Sequence, residues 1–212
     1  MILGVIADDH TGATDVASML VRSGLRTVQI IGVPQASAGI SADEVDAVVI
    51  ALKSRTIDPS DAIAQSLDAL RWLQQHGAQR FYFKYCSTFD STTRGNIGPV
   101  ADALMKALNT YYTIACPAFP ENQRTIFKGH LFVGDQLLSD SGMRNHPLTP
   151  MTDANLVRVL QPQTACKVGL LSHPQVAKGA QALREIVEQR LAAAAQSQDR
   201  KSTRLNSSHV SE

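Results

Sequence analysis

Three short stretches of this chain concentrate side chains that can hold a proton, a charge or a hydroxyl group. The richest spans residues 81–99, FYFKYCSTFDSTTRGNIGP. After the apolar Phe81-Tyr82-Phe83 it presents Lys84, Tyr85, Cys86, Ser87, Thr88, Asp90, Ser91, Thr92, Thr93, Arg94, Gly95 and Asn96 almost without a break. Two cations (Lys84 and Arg94), a carboxylate (Asp90) and several hydroxyls suit a small, polyhydroxylated, anionic ligand. The second stretch, ADDHTGATD at residues 7–15, sets Asp8 and Asp9 side by side just before Thr11 and Gly12. An anionic end of a substrate can rest there on helix N–H groups while Asp8 or Asp9 takes hydroxyl protons. The third is Lys53-Ser54-Arg55, whose two cations suit a carboxylate, Arg55 through its bidentate fork. Each stretch also has a bland reading: a solvated loop, a helix cap at Asp9 or Thr11, or surface charge at Lys53 and Arg55. The chemical reading gains from position, because all three stretches follow strand-like runs and should share one rim of a sheet.

The elements that must position these residues can be read from the hydrophobic pattern. Residues 1–7, 27–33, 46–52, 80–85 and 111–116 read as strands, the third nearly all apolar and therefore buried on both faces. Helices are expected over 12–23, 60–75 and 100–108. The first stops at Gly24 and the second starts at Asp58-Pro59 and stops at Gly77. Strands alternating with helices mean right-handed βαβ units. The fold class is therefore α/β: a Rossmann-like open, mostly parallel sheet flanked by helices. Residues 34–43 read as a small-residue loop. Residues 117–153 form an irregular, lid-like insertion with a short hairpin around Gly129-His130; it carries Arg124, His130, Arg144, His146 and Asp153. A return strand at 166–171 and a helix at 175–195 follow. Residues 1–200 then make one domain. The last stretch, 201–212 (KSTRLNSSHVSE), has no apolar period, reads as a disordered tail, and is similar to translated adaptor sequence.

Composition narrows the function. With 20 basic against 19 acidic residues in 212, the formal charge of +1 gives no general pull toward nucleic acid or a membrane surface. The partner expected is a small molecule. Cys86, Cys116 and Cys166 are far apart and lack nearby histidines at ligand spacing, which argues against zinc or a disulfide framework and for a reducing, cytoplasmic location. The apolar start lacks a basic leader and meets two aspartates after seven residues, so it reads as a strand. His10, His76 and His173 carry no catalytic signal. There is no G-x-x-x-x-G-K-[ST] and no G-x-G-x-x-G, so motif alone gives no nucleotide site, and an oxidoreductase of doubly wound type is disfavoured.

Taken together, ADDHTGATD, LKSR at 52–55, KYCSTFDSTTRGNIGP at 84–99, PAFP at 117–120 and GMRNHPLTPMTD at 142–153 resemble the N-terminal domain of the four-carbon acid sugar kinase family, in particular its 3-oxo-tetronate branch. The resemblance runs from residue 1 to about 195, with His10 where that family commonly has Phe or Leu. It implies ATP-dependent phosphorylation of the terminal hydroxyl of a four-carbon sugar acid by a two-domain enzyme. The second domain of such an enzyme carries ATP and Mg2+ on glycine-rich loops. On that implication this chain is the substrate half of a truncated kinase, inactive alone, with a homodimer left open. The implied roles put the substrate carboxylate and 3-oxo group on Arg55, Lys84 and Arg94. Asp8 or Asp9 would deprotonate the 4-hydroxyl, and Asp90 with Ser91 and Thr92 would bind hydroxyls. Thr11, Gly12, Lys53, Ser54, Ser87, Gly95 and Asn96 complete the contacts. The base stays open among the three aspartates. The alternative is a sugar-acid-binding module with no catalysis of its own.

Overall fold

The computed structural model describes residues 1–35 and 44–207, with side chains through 194. Most of the loop expected at 34–43 and the last five residues of the expected tail therefore lie outside the described residues.

Four parallel strands, β1 (Leu3–Ala7), β2 (Thr27–Ile31), β3 (Ala47–Ala51) and β4 (Arg80–Lys84), form one sheet in the order β2-β3-β1-β4. Helices α1 (His10–Arg22), α2 (Pro59–Gln75) and α3 (Ile97–Ala107) connect or follow them. The fold class is the one the alternating pattern demands. All five residues of β3 are buried. Its alternate side chains serve two cores, since Val48 and Ile50 pack with Leu70, Leu73, Val100 and Leu104. Val49 and Ala51 pack instead with Ala13 and Val16 of α1. That two-sided burial is why the run could be continuously apolar.

The helix ends follow local chemistry. Asp9 is the N-cap of α1 and accepts a hydrogen bond from Gly12 N at 2.8 Å. Gly24 leaves the same helix at φ +87°, a conformation that costs glycine little. Asp58 caps α2 by accepting from Ser60 N, with Pro59 in the first position, where its missing N–H costs nothing. Helix α3 begins at Ile97, three residues earlier than its apolar spacing suggests, and accommodates Pro99 in its first turn.

The insertion after residue 117 is folded. Strands β5 (Arg124–Phe127), β6 (His130–Val133) and β7 (Gln136–Leu137) make a small antiparallel sheet. The β5–β6 turn is Lys128-Gly129 rather than Gly129-His130. Both residues have positive φ, 49° and 80°, as a two-residue hairpin turn matched to strand twist requires. A third core of Phe89, Ile97, Leu131, Leu138, Met151 and Ala154 ties this sheet to the loop after β4. Helix α4 (Leu156–Leu160) leads out of it.

Among the described residues two expected strands are not formed. Residues 111–116 pair with no strand among them, and Tyr111, Tyr112 and Ile114 stay exposed. Their β-forming composition describes residues suited to a pleated surface and does not supply the surface. Residues 166–171 also form no ladder. The side chain of Gln161 takes their backbone groups instead, donating to Cys166 O and accepting from Val168 N. The last helix is divided as well. Gly179, at φ +90°, separates α5 (His173–Val176) from α6 (Ala180–Ser207). Helix α6 continues through Ser207, so the residues from 201 to 207, read as tail, are helical. Residues 170–212 form a unit of their own, and residues 1–169 form the other.

Candidate functional site

Strand register brings the three polar stretches together. Ala7 lies opposite both Ala51 of β3 and Lys84 of β4, so the residues that follow each strand emerge in one row. The ladder then continues past the strand ends. Asp8 N donates to Lys84 O at 3.0 Å, and Ser54 N and Arg55 N both donate to Asp8 O, at 2.9 and 3.2 Å. The carboxyl edge of a parallel sheet is where open α/β folds form their crevices, and these bonds fix its floor.

The floor is an arginine among three aspartates. Arg55 holds Asp8 through two parallel bonds, Nε to Oδ2 at 3.1 Å and Nη2 to Oδ1 at 2.8 Å. The same Nη2 lies 2.8 Å from Asp9 Oδ1, and Nη1 lies 3.9 Å from Asp90 Oδ2. Burial raises the Asp8 carboxyl above its ordinary range, and the bonds and charge of Arg55 offset this only in part. Burial works against the Arg55 charge too, but the hydrogen bonds and charge of Asp8 outweigh it and drive the guanidinium further toward permanent protonation. Asp90 is oriented by its loop: Thr88 Oγ1 donates to Asp90 Oδ1 at 2.6 Å, and Cys86 Sγ lies 2.9 Å from the same hydroxyl. Burial, with the nearby Asp90 charge, pushes the Cys86 thiol up, which keeps it protonated and unreactive.

A cavity of about 250 Å3 opens over this floor, lined by Asp8, Asp9, Lys53, Arg55 and Asp90. Its remaining wall is Thr56, His146, Leu148 and Thr149. Five predicted site residues from all three stretches thus share one space. Lys84 is not among the lining residues; its Nζ donates to Tyr85 O at 2.7 Å. A side chain at Gly12 would meet Lys84 Nζ at 3.2 Å and Asp9 Oδ1 at 2.6 Å, which explains the glycine. Thr11 is exposed on the first turn of α1, and Ser87 is half-buried in the loop.

Other predicted residues build the scaffold. Asn96 donates from Nδ2 to Ser54 O at 2.8 Å and to Ile57 O at 3.0 Å, stapling the β4 loop onto the β3 loop. Ser91 Oγ donates to Gln163 Oε1 at 2.9 Å, and that oxygen also accepts from Gly98 N at 3.0 Å. A distant glutamine therefore satisfies a first-turn donor of α3. Gly95 and Gly98 are glycines because space is lacking: a Cβ on Gly95 would collide with Ser91, and one on Gly98 would come within 2.5 Å of Gln163. Ser91 and Thr92 line a second cavity of about 340 Å3 with Thr93, Thr152, Asp153 and Arg158. Arg94 is exposed and lines neither cavity.

Sequence reasoning missed the contribution of the insertion. His146, Thr149 and Gln163 lie where no period marks an element; the quoted GMRNHPLTPMTD was the available signal for the first two. It also missed Phe89, a non-glycine at φ +54° whose buried ring packs edge-on against Tyr85. That anchor turns the next residue, Asp90, into the crevice.

Among the described residues no group of three or more His, Cys, Asp or Glu could hold a metal. The glycines of the RGNIGP turn are filled by Ser91 and Gln163 rather than left open for phosphate. No helix of the described residues is long and apolar enough to cross a membrane.

Comparison with known proteins gives matches over nearly the whole chain. The family model described as a sugar-binding N-terminal domain matches residues 3–201. A 3-oxo-tetronate kinase of Burkholderia multivorans is 65% identical over 188 residues, covering 89% of this chain and 43% of that protein. The 3-oxo-tetronate kinase of Haemophilus influenzae is 58% identical over 184 residues, covering 87% and 44%. Among solved structures, a Haemophilus influenzae protein superposes with a TM-score of 0.86 at 56% identity, covering 90% of this chain and 45% of its own. A domain of unknown function from Bordetella bronchiseptica, a domain-swapped dimer with bound citrate, gives 0.65 at 32% identity, covering 76% and 39%. The chain spans less than half the length of these relatives.

Proposed function

Since this chain belongs to the sugar-binding N-terminal domain family, we propose that it is the substrate-binding half of an ATP-dependent kinase acting on a four-carbon sugar acid of the 3-oxo-tetronate type. The observation that carries this reading is the single cavity shared by Asp8, Asp9, Lys53, Arg55 and Asp90 at the carboxyl edge of the sheet. Its contents match a short hydroxylated acid: acceptors for hydroxyl protons on one side, and an exposed lysine with no ion pair among the described residues for the carboxylate on the other.

The geometry divides the work among the aspartates. Both oxygens of Asp8 are held by Arg55, and its side chain is only 6% exposed, so it serves as the anchor that orients Arg55. Asp9 uses Oδ1 for Gly12 N and Arg55, and among the described residues Oδ2 has no partner. Asp9 is therefore the residue we assign to accept the proton of the terminal hydroxyl, with Asp90 holding a neighbouring hydroxyl. Lys53 takes the carboxylate. The guanidinium keeps the three carboxylates together and polarises the ligand face. Arg94 and Lys84 play no direct part in this assignment, Arg94 because it is exposed outside the cavity and Lys84 because its ammonium is turned to Tyr85 O. The chemistry of ATP and Mg2+ belongs to the remainder of the full-length protein, and the residues here bind and orient the acid and give its hydroxyl an acceptor.

Taken alone, the chain acts as an acid-binding module in the cytoplasm. Titration calorimetry with a 3-oxo four-carbon acid, followed by an assay for ATP turnover, tests both: binding without turnover is expected. Failure to bind any four-carbon sugar acid would remove the proposal. The domain-swapped dimer of the Bordetella protein makes a homodimer the assembly we propose for the full-length protein, to be read by light scattering.

A further inference from the structure

The three aspartates of the cavity explain how hydroxyl groups would be held, but they leave one ligand atom without a partner. A ketone oxygen only accepts hydrogen bonds, and ionised carboxylates only accept. Arg55 has Nε and Nη2 committed to Asp8 and Asp9, which leaves only Nη1, 3.9 Å from Asp90 Oδ2, for the ligand. Lys53 is needed for the ligand carboxylate. A neutral donor elsewhere on the wall would serve the ketone without drawing on the charges that hold the carboxylates.

His146 supplies one. It follows a short 3-10 turn (Gly142–Asn145) held in place by Met143 O, which accepts from both His146 N and Met151 N, at 3.2 and 2.9 Å. His146 lines the cavity together with Thr149. Thr149 N donates to His146 Nδ1 at 3.1 Å, and Thr149 Oγ1 lies 2.8 Å from the same nitrogen. A backbone N–H can only donate, so Nδ1 carries no proton and the ring proton sits on Nε2. Among the described residues Nε2 has no hydrogen-bond partner. Thr149 is itself buried, so the tautomer is set before any ligand arrives.

We infer that His146 is a specificity-determining residue, presenting a preset Nε2–H donor to an acceptor-only oxygen and so favouring a 3-oxo acid over its 3-hydroxy counterpart. The inference rests on the function proposed above. It goes further by naming the group that reads the oxidation state at carbon 3. A hydroxyl at that position could turn its own proton toward Asp90 or Asp9 and would depend on His146 much less.

Calorimetric titration of the chain with a 3-oxo four-carbon acid and with the matching 3-hydroxy acid tests it. His146→Leu is expected to weaken the 3-oxo acid by roughly tenfold or more, and the 3-hydroxy acid by less than about threefold, the usual scale for leaving one buried polar partner unpaired. His146→Gln, which keeps an N–H, should recover most of the affinity. Imidazole 15N spectra of the unliganded wild type should show Nδ1 as the unprotonated nitrogen, a readout independent of whether any variant folds. Equal losses for both acids, no loss for either, or a protonated Nδ1 would overturn the role of His146 while leaving the binding proposal intact. A wild type that binds neither acid would overturn both.

Discussion

Two aspartate–arginine forks stand at opposite ends of the same parallel sheet. At the amino end, Arg26 before β2 grips Asp46 before β3, Nε to Oδ2 and Nη2 to Oδ1, both at 3.0 Å. At the carboxyl end, Arg55 grips Asp8 with the same two atoms at 3.1 and 2.8 Å. The geometries match, yet the carboxylates respond in opposite directions. The hydrogen bonds from Arg26 pull Asp46 down to about 2, whereas burial pushes Asp8 up despite its partner. Solvent makes the difference: the Asp46 and Arg26 side chains are 24% and 58% exposed, those of Asp8 and Arg55 only 6% and 19%. The amino-end fork ties two strand starts together on the surface. The carboxyl-end fork holds charge in a crevice against its desolvation cost, which is the pattern expected of a binding site.

Breaking the buried fork should have the largest effect. Arg55→Ala leaves Asp8, Asp9 and Asp90 facing one another without their shared cation. A loss of about 3 kcal/mol is expected from urea unfolding. The variant should regain stability as pH falls from 7 toward 5, because protonation relieves the unpaired carboxylates. A midpoint within error of wild type would show that the fork contributes nothing. Gly98→Ala attacks the support of the same edge, forcing a methyl to within 2.5 Å of Gln163, and should cost about 1–3 kcal/mol with weakened ligand binding. Asp9→Asn in a full-length family member should lower turnover by roughly a hundredfold while leaving substrate affinity within about tenfold. Near-normal turnover would remove Asp9 as the proton acceptor.

The pH dependence sharpens the contrast further. Asp8 is raised in the folded state, so folded chains hold its proton when unfolded chains have released it. Its contribution to stability therefore falls as pH rises from the ordinary value of 3.8 through the raised one. Asp46 is lowered, so its contribution is present above 3.8 and is lost as pH drops toward 2. Arg26→Ala should flatten only the acid-side loss. At neutral pH it should lower the urea midpoint by the small amount an exposed pair contributes, leaving the two curves to meet near pH 2, and should leave ligand binding unchanged, the smallest effect of the set.

Much of this contrast was legible in the sequence. Apolar runs ending in polar turns gave the four parallel strands, and parallel strands in register bring their carboxyl ends to one edge, which is why Asp8, Lys53-Arg55 and Asp90 could be expected to meet. Asp58-Pro59 and Gly24 marked helix ends because capping is a local matter. What the pattern could not carry was anything depending on a partner distant in the chain. Residues 111–116 look like a strand but have no neighbour to pair with among the described residues. Residues 166–171 give Cys166 O and Val168 N to the side chain of Gln161. Ser91 and Asn96 read as ligand contacts because hydroxyl and amide side chains look alike whether they face a ligand or a carbonyl. The structure gives one to Gln163 and the other to Ser54 O. His146 went unassigned because its orientation depends on Thr149, in a stretch with no periodicity.

Backbone amide shifts of the 15N-labelled chain, followed during titration with a 3-oxo four-carbon sugar acid, test the shared crevice most directly. The account predicts saturable shifts concentrated at Asp9, Lys53–Arg55 and Asp90, with the amino-end fork at Arg26 and Asp46 unmoved. An absence of saturable shifts, or shifts centred on the amino end of the sheet, would contradict it.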